Sequence, residues 1–510
     1  MSFLTIDAGT GAIRCMIFDS SGNVISSSYR EWAYRPTPEV ASGFEFDPND
    51  FWSKICLCIK ETISKGKVSS SQINGVGVTS MRHGTVFLAE NGKEILACPN
   101  IDARGLNEAF ELEKILGEKI YQITGKWPSP TFAPSRILWM KRHKPEKFKE
   151  IRKILTISDW IIYKLSGRFV AEPSNASSTM LLNCLKLTWY DELINYLGLE
   201  ADSLPELHSS AECIGEVTQK VANLTGLKKG TPIVTAGADT QAALIGTGAI
   251  EEKDITVVAG TTSPVQLVLS KPIIDENFRT WTEVHIMPNR WILESNAGPT
   301  GTYYRWFRDN FCELEKIVAK LIRVDDYEIM DKECEFIPPG ANDLIAVLSF
   351  VMNAHKSSRR PKGAIIGFKP TSDKREIMRA ILENISYAIF GNCQQLEEVS
   401  GIKVEKLNAC GGASKSNIWI TTLANVLGKP VSVFRVKEAT SLGAAICVAA
   451  GLKVYKNISE GVKSMVKQET EISPEPIIHE YYKDKYKVWK SLHDLLWKLA
   501  EDGIISTYWK

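Results

Sequence analysis

The chain of 510 residues has no excess of charge of either sign, no CxxC pair and no long hydrophobic run. Its 61 Lys and Arg residues balance 60 Asp and Glu residues, so the composition predicts no nucleic-acid or membrane partner. The longest uncharged apolar stretch, residues 441–452, is shorter than the roughly 20 residues of a bilayer span. Because the N-terminus lacks signal-peptide features and the eleven cysteines suggest no disulfide framework, we expect a reduced, cytoplasmic protein.

The length predicts two large domains, since one hydrophobic core rarely supports so many residues. Strand-like runs alternate with amphipathic helical patterns, which favours an α/β class with parallel strands. The glycine-rich segment 244–254 is the clearest candidate boundary. The strand-like runs cover 73–78, 231–237, 254–260 and 430–434, and the helical patterns cover 375–390 and 482–499.

The N-terminal stretch FLTIDAGTGAIRCMIFDSSGNVI, residues 3–25, joins two strand-like runs through a turn rich in small residues. A turn of this kind directs backbone NH groups and a hydroxyl into a concavity, an arrangement that binds phosphate oxygens. A plain hairpin is the alternative. A second copy, GTTSPVQLVLS after the strand DITVVA, favours a nucleotide held between two related halves.

A third glycine cluster lies in LNACGGASKSNIWI, residues 407–420. A strand runs into Gly411 and Gly412, and we expect a helix to begin near Ser414. Backbone without side chains can approach a flat ligand closely, and the start of a helix offers unpaired NH groups. The cluster therefore predicts a third contact with a nucleotide.

Several motifs together resemble one family. GAIIGFKPTSDKREIMRAILE matches its signature through five residues, and DAGT at 7–10, GTT at 260–262 and GGASKSN at 411–417 match its phosphate and adenosine elements; the five are Gly363, Gly367, Glu376, Ala380 and Glu383. In these features the chain resembles the FGGY carbohydrate kinases. The resemblance implies two actin-like (ribonuclease H-like) ATPase domains with a nucleotide cleft between them. It places sugar binding and the catalytic base in 1–247, and ATP binding and C-terminal helices in 248–510.

The resemblance also implies roles for single residues, with ATP and Mg²⁺ as cofactors. Asp239, in VTAGADTQAALIG, matches the catalytic base, although an Asp at a strand end could instead cap the next helix. Asp7 is assigned to Mg·ATP, since Mg²⁺ prefers oxygen ligands. The expected ATP-binding residues are Thr10, Gly11 and Arg14 for the transferred phosphate, Gly260, Thr261 and Thr262 for the β and γ phosphates, and Gly301, Gly412 and Asn417 on the nucleoside side.

The acceptor side is expected at MRHG, residues 81–84, where Arg82 and His83 could bind sugar or polyol hydroxyls. Asp102 and Gln241 are further candidates. The resemblance implies an acidic residue at the place of His83 in glycerol-type members and in the autoinducer-2 kinase branch, whereas xylulokinases have a Met-His-Gly run. This sequence mixes the two patterns. A surface histidine that contacts only water is the alternative for His83.

Within the family, segments 80–105, 157–167, 173–183 and 305–312 and the C-terminal STYWK are similar to the autoinducer-2 kinase branch. This likeness favours phosphorylation of the autoinducer-2 precursor dihydroxypentanedione. Xylulose, another ketose, or a polyol or sugar acid such as glycerol, erythritol or gluconate stays an alternative, and so does a non-catalytic nucleotide-binding regulator. The resemblance also leaves open a homodimer and regulation by a phosphocarrier protein.

Overall fold

The computed structural model describes residues 1–507, apart from the side chains of Ala41 and Ser358. Residues 508–510 of the STYWK motif lie outside the described part. Strands and helices alternate along the chain, which confirms the α/β class. The elements up to Gly246 are β1 (Ser2–Ala8), β2 (Ala12–Asp19), β3 (Val24–Glu31), β4 (Arg35–Thr37), β5 (Val40–Glu45), α1 (Pro48–Gly66), β6 (Ile73–Ser80), β7 (Thr85–Leu88), β8 (Glu94–Cys98), α2 (Leu106–Thr124), α3 (Ala133–His143), α4 (Pro145–Lys149), β9 (Lys153–Thr156), α5 (Ile157–Ser166), α6 (Pro173–Ser177), β10 (Leu182–Asn183), β11 (Thr188–Trp189), α7 (Asp191–Leu197), β12 (Cys213–Glu216), α8 (Gln219–Thr225), β13 (Pro232–Ala238) and α9 (Asp239–Gly246).

The second half has a similar mixture of elements. Short 3₁₀ helices occur at five places along the described chain, among them Gly412–Lys415 in the third glycine cluster. The further strands and α-helices are β14 (Ile255–Val258), β15 (Pro264–Leu269), β16 (Trp281–Val284), β17 (Trp291–Asn296), α10 (Thr300–Phe311), α11 (Glu313–Ile322), α12 (Asp326–Glu335), β18 (Ile345–Val347), β19 (Ala364–Ile366), α13 (Lys374–Ser400), β20 (Leu407–Cys410), α14 (Asn417–Leu427), β21 (Val431–Phe434), α15 (Ala439–Gly451), α16 (Ile458–Met465), β22 (Gln468–Ile472) and α17 (Pro476–Glu501).

Each half is built on one large mixed sheet. The first has the order β12-β13-β6-β1-β2-β3, in which β1, β6 and β13 are parallel and β2 and β3 continue as an antiparallel meander. The second has the order β16-β17-β15-β14-β20-β21-β22, in which β14, β20 and β21 are parallel and β15 and β17 continue antiparallel. The two sheets therefore share one plan, an antiparallel meander followed by two parallel strands.

The four strand-like runs correspond to β6, β13, β14 and β21, and the two helical patterns lie in α13 and α17. The sheets are mixed instead of purely parallel, because a short turn can join β1 to β2 and β14 to β15 only as antiparallel hairpins. The helix expected near Ser414 begins at Asn417, after the 3₁₀ turn.

Helix α15 lies far beyond residue 247 but packs on the first sheet, beside β1, β6 and β13, and against α9. Glycines permit the close crossing of α9 and α15. A Cβ atom on Gly443 would lie 1.8 Å from the Ala242 carbonyl oxygen, and one on Gly246 would lie 1.9 Å from the Ala439 carbonyl oxygen. The two halves are thus tied together directly behind the cleft, while a domain boundary at 247/248 stays a prediction.

The core of the second half surrounds α13, whose residues Ile381, Ile385 and Ala388 are buried as the periodicity predicts. Helix α17 buries Tyr482 and Trp489 against the same core. Within residues 1–507, every helix is too short or too polar to cross a bilayer. All eleven cysteines are free thiols.

Candidate functional site

A cleft with a volume of about 120 Å³ lies where the two halves meet. The hairpin β1–β2 forms one wall, and β20 with its glycine turn and the start of α15 forms the other. This edge lies at the carboxyl ends of parallel strands, where α/β proteins place their ligands. The lining residues are Asp7, Arg14, Val258, Cys410, Gly411, Gly412, Lys415, Lys437, Glu438, Ala439 and Thr440.

Asp7 and Arg14 are directly opposite each other in the register of the hairpin, and both line the cleft. Burial raises the pKa of Asp7 to about 6; the Arg14 guanidinium opposes this rise and Glu438 adds to it. Arg14 also lies over the ring of Tyr29, 5.8 Å from its centroid. The expected placement of Asp7 and Arg14 beside a bound phosphate remains compatible with this geometry.

Asp239 is the first residue of α9 and follows the buried strand β13. Its Oδ1 accepts a hydrogen bond from the Thr240 NH at 2.8 Å, so the carboxylate also contacts the helix start, although the N-cap residue is Ala238. Burial raises the pKa of Asp239 to about 7, against the opposing effect of Arg82 and with a contribution from Asp7. The aspartate therefore exchanges its proton near neutral pH.

Asp239 is also tied to the cleft wall through its backbone. The Thr440 hydroxyl, at the start of α15, donates a hydrogen bond to the Asp239 carbonyl oxygen at 3.2 Å. Since Thr440 lines the cleft, the carboxylate and the second wall are held in a fixed relation.

Arg82 follows β6 and is buried between the halves of the chain. Its Nη1 donates to both carboxylate oxygens of Glu283 at 2.9 Å, and its two terminal nitrogens donate to Glu294 at 2.5 and 3.0 Å. The two glutamates lie on β16 and β17. The structure thus joins an expected acceptor-side residue to a pair of acids from the other half.

Three further buried side chains complete this network. Lys126 pairs with Glu283, Gln241 donates to the same glutamate at 2.5 Å, and Gln266 donates to Glu294 at 2.7 Å. Burial raises the pKa of Glu283, but Arg82 and Lys126 outweigh it and bring the value to about 2. Glu283 therefore stays ionised, and Gln241 is held by protein instead of facing open space.

Sequence reasoning missed Lys126, Glu283 and Glu294. Each stands alone in its segment, with no motif or charge cluster around it. The weak signal available was a glutamate inside each of two apolar strands, because a charge at such a position needs a buried partner.

His83 adopts a left-handed backbone conformation, with φ +67°. Its Nδ1 lies 2.8 Å from the Ser178 carbonyl oxygen, which can only accept, so Nδ1 carries the proton. Burial, together with Arg82 and Lys126, holds the pKa of His83 well below its usual value, and the ring is neutral. Nε2 therefore carries the lone pair and can accept a hydrogen bond. The ring packs near Phe132, so His83 is not the surface histidine of the alternative interpretation.

Asp102 is fully buried and paired with protein groups. Its carboxylate accepts from the Phe44 NH at 2.8 Å and from Arg104 Nε at 3.0 Å, and Arg136 Nε lies 3.0 Å from it. Arg136 also donates to the His83 carbonyl oxygen. In this conformation Asp102 supports the acceptor loop through Arg136, and direct contact with a substrate stays a prediction.

The second hairpin turn, Gly260 to Thr262, is exposed next to the cleft-lining residue Val258. Helix α10 begins against it, with Thr302 donating through both its NH and its hydroxyl to the Thr261 carbonyl oxygen. A Cβ atom on Gly301 would lie 2.1 Å from the Gly260 carbonyl oxygen. A side chain at position 301 would therefore collide with the hairpin, because the start of α10 lies so close to it.

The third cluster leaves an open backbone surface. Gly411 has φ +92° and packs on Ala259, whereas a Cβ atom on Gly412 would meet no heavy atom within 4 Å. Asn417 is exposed at the start of α14.

The cleft also contains charged residues that sequence reasoning missed, although they flank a glycine turn and a helix start. They are Lys415, Lys437 and Glu438.

Thr10 and Gly11 lie at the tip of the first hairpin. The Thr10 hydroxyl accepts from Asn100 Nδ2 at 2.8 Å, and Gly11 is exposed. Neither residue is among those that line the 120 Å³ cavity. Their contact with a transferred phosphate stays a prediction.

The residues present fit a magnesium ion held mainly by phosphate and water. Asp7 provides one half-buried carboxylate in the cleft, and residues 1–507 contain no group of three or more His, Cys, Asp or Glu side chains arranged for a metal. Mg²⁺ commonly takes one or two carboxylates together with nucleotide phosphates, so Asp7 is sufficient as the protein's share.

Two family profiles match the sequence. The profile described as "FGGY family of carbohydrate kinases, N-terminal domain" matches residues 2–246, and that of the C-terminal domain matches residues 255–452. The chain belongs to the FGGY family of carbohydrate kinases. It is therefore an ATP-dependent carbohydrate kinase, as the motifs predicted.

Relatives and solved structures of this FGGY kinase agree with that assignment. Autoinducer-2 kinases from Escherichia coli strain SMS-3-5 and from Yersinia enterocolitica are each 33% identical to it over 514 aligned residues, covering 99% of this chain and 97% of theirs. The xylulose kinase of Lactobacillus acidophilus has a TM-score of 0.84 at 20% identity, and the glycerol kinase of Plasmodium falciparum, solved with ADP, has 0.83 at 21%. Each comparison covers 97% of this chain and 98% of the other. These structures confirm the fold.

Proposed function

We propose that this kinase transfers the γ-phosphoryl group of ATP to the terminal hydroxyl of dihydroxypentanedione, the autoinducer-2 precursor. The observation that carries the acceptor assignment is the tautomer of neutral His83, next to Arg82 in the chain, which leaves Nε2 able to accept a hydrogen bond. An imidazole in this tautomer accepts a hydroxyl hydrogen bond as a carboxylate would, so His83 can replace the acidic residue of other members. The full-length relatives named autoinducer-2 kinase support the same choice.

Asp239 is proposed as the base. Its pKa of about 7 leaves a large share of the carboxylate ionised at neutral pH, while still allowing it to take a proton. As the acceptor oxygen attacks phosphorus, its proton passes to the Asp239 carboxylate and the bond to the β-phosphate oxygen breaks. Arg82 orients the acceptor, because two glutamates hold its guanidinium in place.

The phosphates are proposed to lie between the two hairpins. Asp7 would hold Mg²⁺, which supplies charge neutralisation on the phosphates when it is bound. Arg14, Thr10 and Gly11 contribute from the first half. The second half contributes Gly260, Thr261 and Thr262 for the phosphates and Gly301, Gly412 and Asn417 for the nucleoside.

A ketose such as xylulose is the second candidate acceptor. The observation that favours it is His83 itself, because a Met-His-Gly run is typical of xylulokinases. A regulator without catalysis is disfavoured, since the chain retains Asp7 in the cleft, Asp239 at the start of α9 and all three glycine elements.

The test is ATP consumption with dihydroxypentanedione, xylulose, ribulose, glycerol, erythritol and gluconate, using wild type, His83→Gln and His83→Leu. Gln keeps an acceptor oxygen and Leu does not, so the acceptor KM should rise more for Leu while the ATP KM stays constant. The highest kcat/KM should occur with dihydroxypentanedione. A higher kcat/KM with xylulose would make xylulose the substrate in place of dihydroxypentanedione. Equal acceptor KM values for His83→Gln and His83→Leu would contradict the role of His83.

A further inference from the structure

A second cavity, with a volume of about 200 Å³, lies in the first half of the chain and shares no lining residue with the cleft. The hairpin β4–β5, strand β8, the end of α3 and the start of α4 surround it. A cavity of about 150 Å³ can hold a benzene molecule. This cavity therefore has room for a six-membered ring that carries a substituent.

Apolar side chains from β8 and α3 form part of the lining, namely Ile95, Leu96, Trp139 and Met140. Trp139 is only 8% exposed, and the Arg104 guanidinium carbon lies 5.0 Å from the centroid of its ring. Because hydroxyl groups buried without hydrogen-bond partners are costly, such a surface favours a ring or a short hydrocarbon over a fully hydroxylated sugar.

Two donors in the lining have no partner in the part of the chain that the structure describes. The indole NH of Trp139 makes no hydrogen bond there, and the ammonium group of Lys147, on α4, forms no ion pair there. The other two cations of the lining are paired, Lys144 with Glu39 at 2.7 Å and Arg104 with Glu45 at 3.0 Å. An indole NH can only donate, so an anionic acceptor matches both free groups.

Arg104 connects this cavity to the acceptor loop, residues 81–84. Its Nε donates to both carboxylate oxygens of Asp102 at 3.0 Å. Asp102 in turn pairs with Arg136, and Arg136 donates to the His83 carbonyl oxygen. An anion beside Arg104 would compete with Asp102 for the guanidinium, since charged acceptors bind it most strongly. A ligand in the cavity would thus loosen the support of the loop.

We propose that this cavity binds a small organic anion with a planar apolar body, and that the bound anion weakens binding of the acceptor. The ring packs beside Trp139 and Leu96, and the anionic group accepts hydrogen bonds from the Trp139 NH and from Lys147 Nζ. A carboxylate and a phosphate monoester share this chemistry. The effect on the acceptor rests on the proposed role of His83, whereas the binding itself does not.

The first test measures binding of phenyl phosphate to the full chain by isothermal titration calorimetry. Saturating Mg²⁺ and a non-hydrolysable ATP analogue keep the cleft occupied. We expect a Kd of about 1 mM or tighter, and values at least about tenfold higher for phenol and for inorganic phosphate, because each provides only half of the contacts. Benzoate, titrated in the same way, distinguishes a carboxylate ligand from a phosphate monoester.

Substitutions in the lining locate the site. Trp139→Phe keeps a ring but removes the NH, and Lys147→Glu reverses the free charge, so the Kd of phenyl phosphate should rise by about threefold and about tenfold. Lys149→Glu is the matched control, because Lys149 lies on the same helix, is 69% exposed and is absent from the lining. Thermal unfolding checks that each variant is folded. Absence of binding by both phenyl phosphate and benzoate, or equal binding in all variants, would overturn the proposal.

The second test is steady-state kinetics with saturating phenyl phosphate. The acceptor KM of wild type should rise at least about threefold with the ATP KM constant, and Lys147→Glu should show a smaller rise. A raised ATP KM would place phenyl phosphate in the cleft and overturn the proposal. An unchanged acceptor KM in wild type with bound phenyl phosphate would overturn the inhibition. If every acceptor proved inactive, the proposed function would fail, while calorimetry would still decide whether the cavity binds anions.

Discussion

The two halves of this kinase have the same strand plan but provide different chemical groups to the cleft. The first half brings carboxylates and guanidinium groups, with Asp7, Arg14 and Asp239 at its strand ends. The second brings a turn of small residues and an open glycine backbone, with Gly412 facing free space. It also lines the cleft with three charged side chains, Lys415, Lys437 and Glu438. The comparison teaches that one fold unit, used twice, can place different chemical groups on the two walls of one cleft.

The separation is not complete. Glu283 and Glu294 come from the second half and pair with Arg82 and Lys126 of the first, where all four side chains are buried. These acids hold a first-half arginine in place and do not face the 120 Å³ cavity. The second half therefore contributes charge to support the acceptor side.

The largest expected effect is at Asp239, in the first half of the chain. Asp239→Asn removes the proposed base, so kcat should fall by about 10²–10⁴ while the affinity for ATP stays unchanged. Steady-state kinetics and a nucleotide titration measure the two quantities. Asp484→Asn, an exposed residue on α17, is the control. A wild-type kcat in Asp239→Asn would show that Asp239 is not the base.

Glu283→Gln tests the buried ion pairs that join the second half to the first. The substitution leaves Lys126 and part of Arg82 without a buried partner, and the free energy of unfolding should fall by about 3–5 kcal/mol. The acceptor KM should also rise with the ATP KM constant. Denaturant unfolding measures the first effect. Glu480→Gln, which breaks an exposed pair with Lys483, should cost less than about 1 kcal/mol. Equal decreases in the free energy of unfolding for Glu283→Gln and Glu480→Gln would show that the buried network contributes little to stability.

Substitutions at two glycines test the proposed nucleotide-binding backbone of the second half. Gly301→Ala and Gly412→Ala should both raise the ATP KM, by about ten- to hundredfold, because nucleotide would be displaced. The free energy of unfolding should fall by about 1–3 kcal/mol only for Gly301→Ala, since its Cβ meets the Gly260 carbonyl oxygen whereas that of Gly412 meets open space. An unchanged ATP KM in Gly412→Ala would place the nucleotide elsewhere.

The smallest effect concerns pH. The pKa of Asp239 is raised to about 7, so the carboxylate is protonated below that pH and cannot act as a base. The kcat/KM for the acceptor, measured at saturating Mg²⁺ and ATP, should therefore decrease as pH falls, by about tenfold between pH 8 and 6. A profile that stays flat from pH 8 to 6 would contradict the assignment of Asp239.

Local patterns predicted much of the fold and part of the site. Small residues between β-forming runs predicted both hairpins, and alternation of strand and helix patterns predicted the α/β class. The start of α14 was expected near Ser414 but lies at Asn417, because a 3₁₀ turn precedes the helix. The expected place of Asp239, directly after a strand, is confirmed, while its role as base came from the family resemblance and stays a prediction.

The sequence by itself determined the family, the glycine turns and the cleft residues Asp7, Arg14 and Gly412, because each depends on a short pattern whose local geometry is nearly fixed. Only the tertiary structure decided that Arg82 is held by Glu283 and Glu294, which lie about 200 positions away along the chain. It also decided the tautomer of His83 and the burial of Asp102. Long-range pairing and desolvation depend on which segments meet in space, and no local pattern records that.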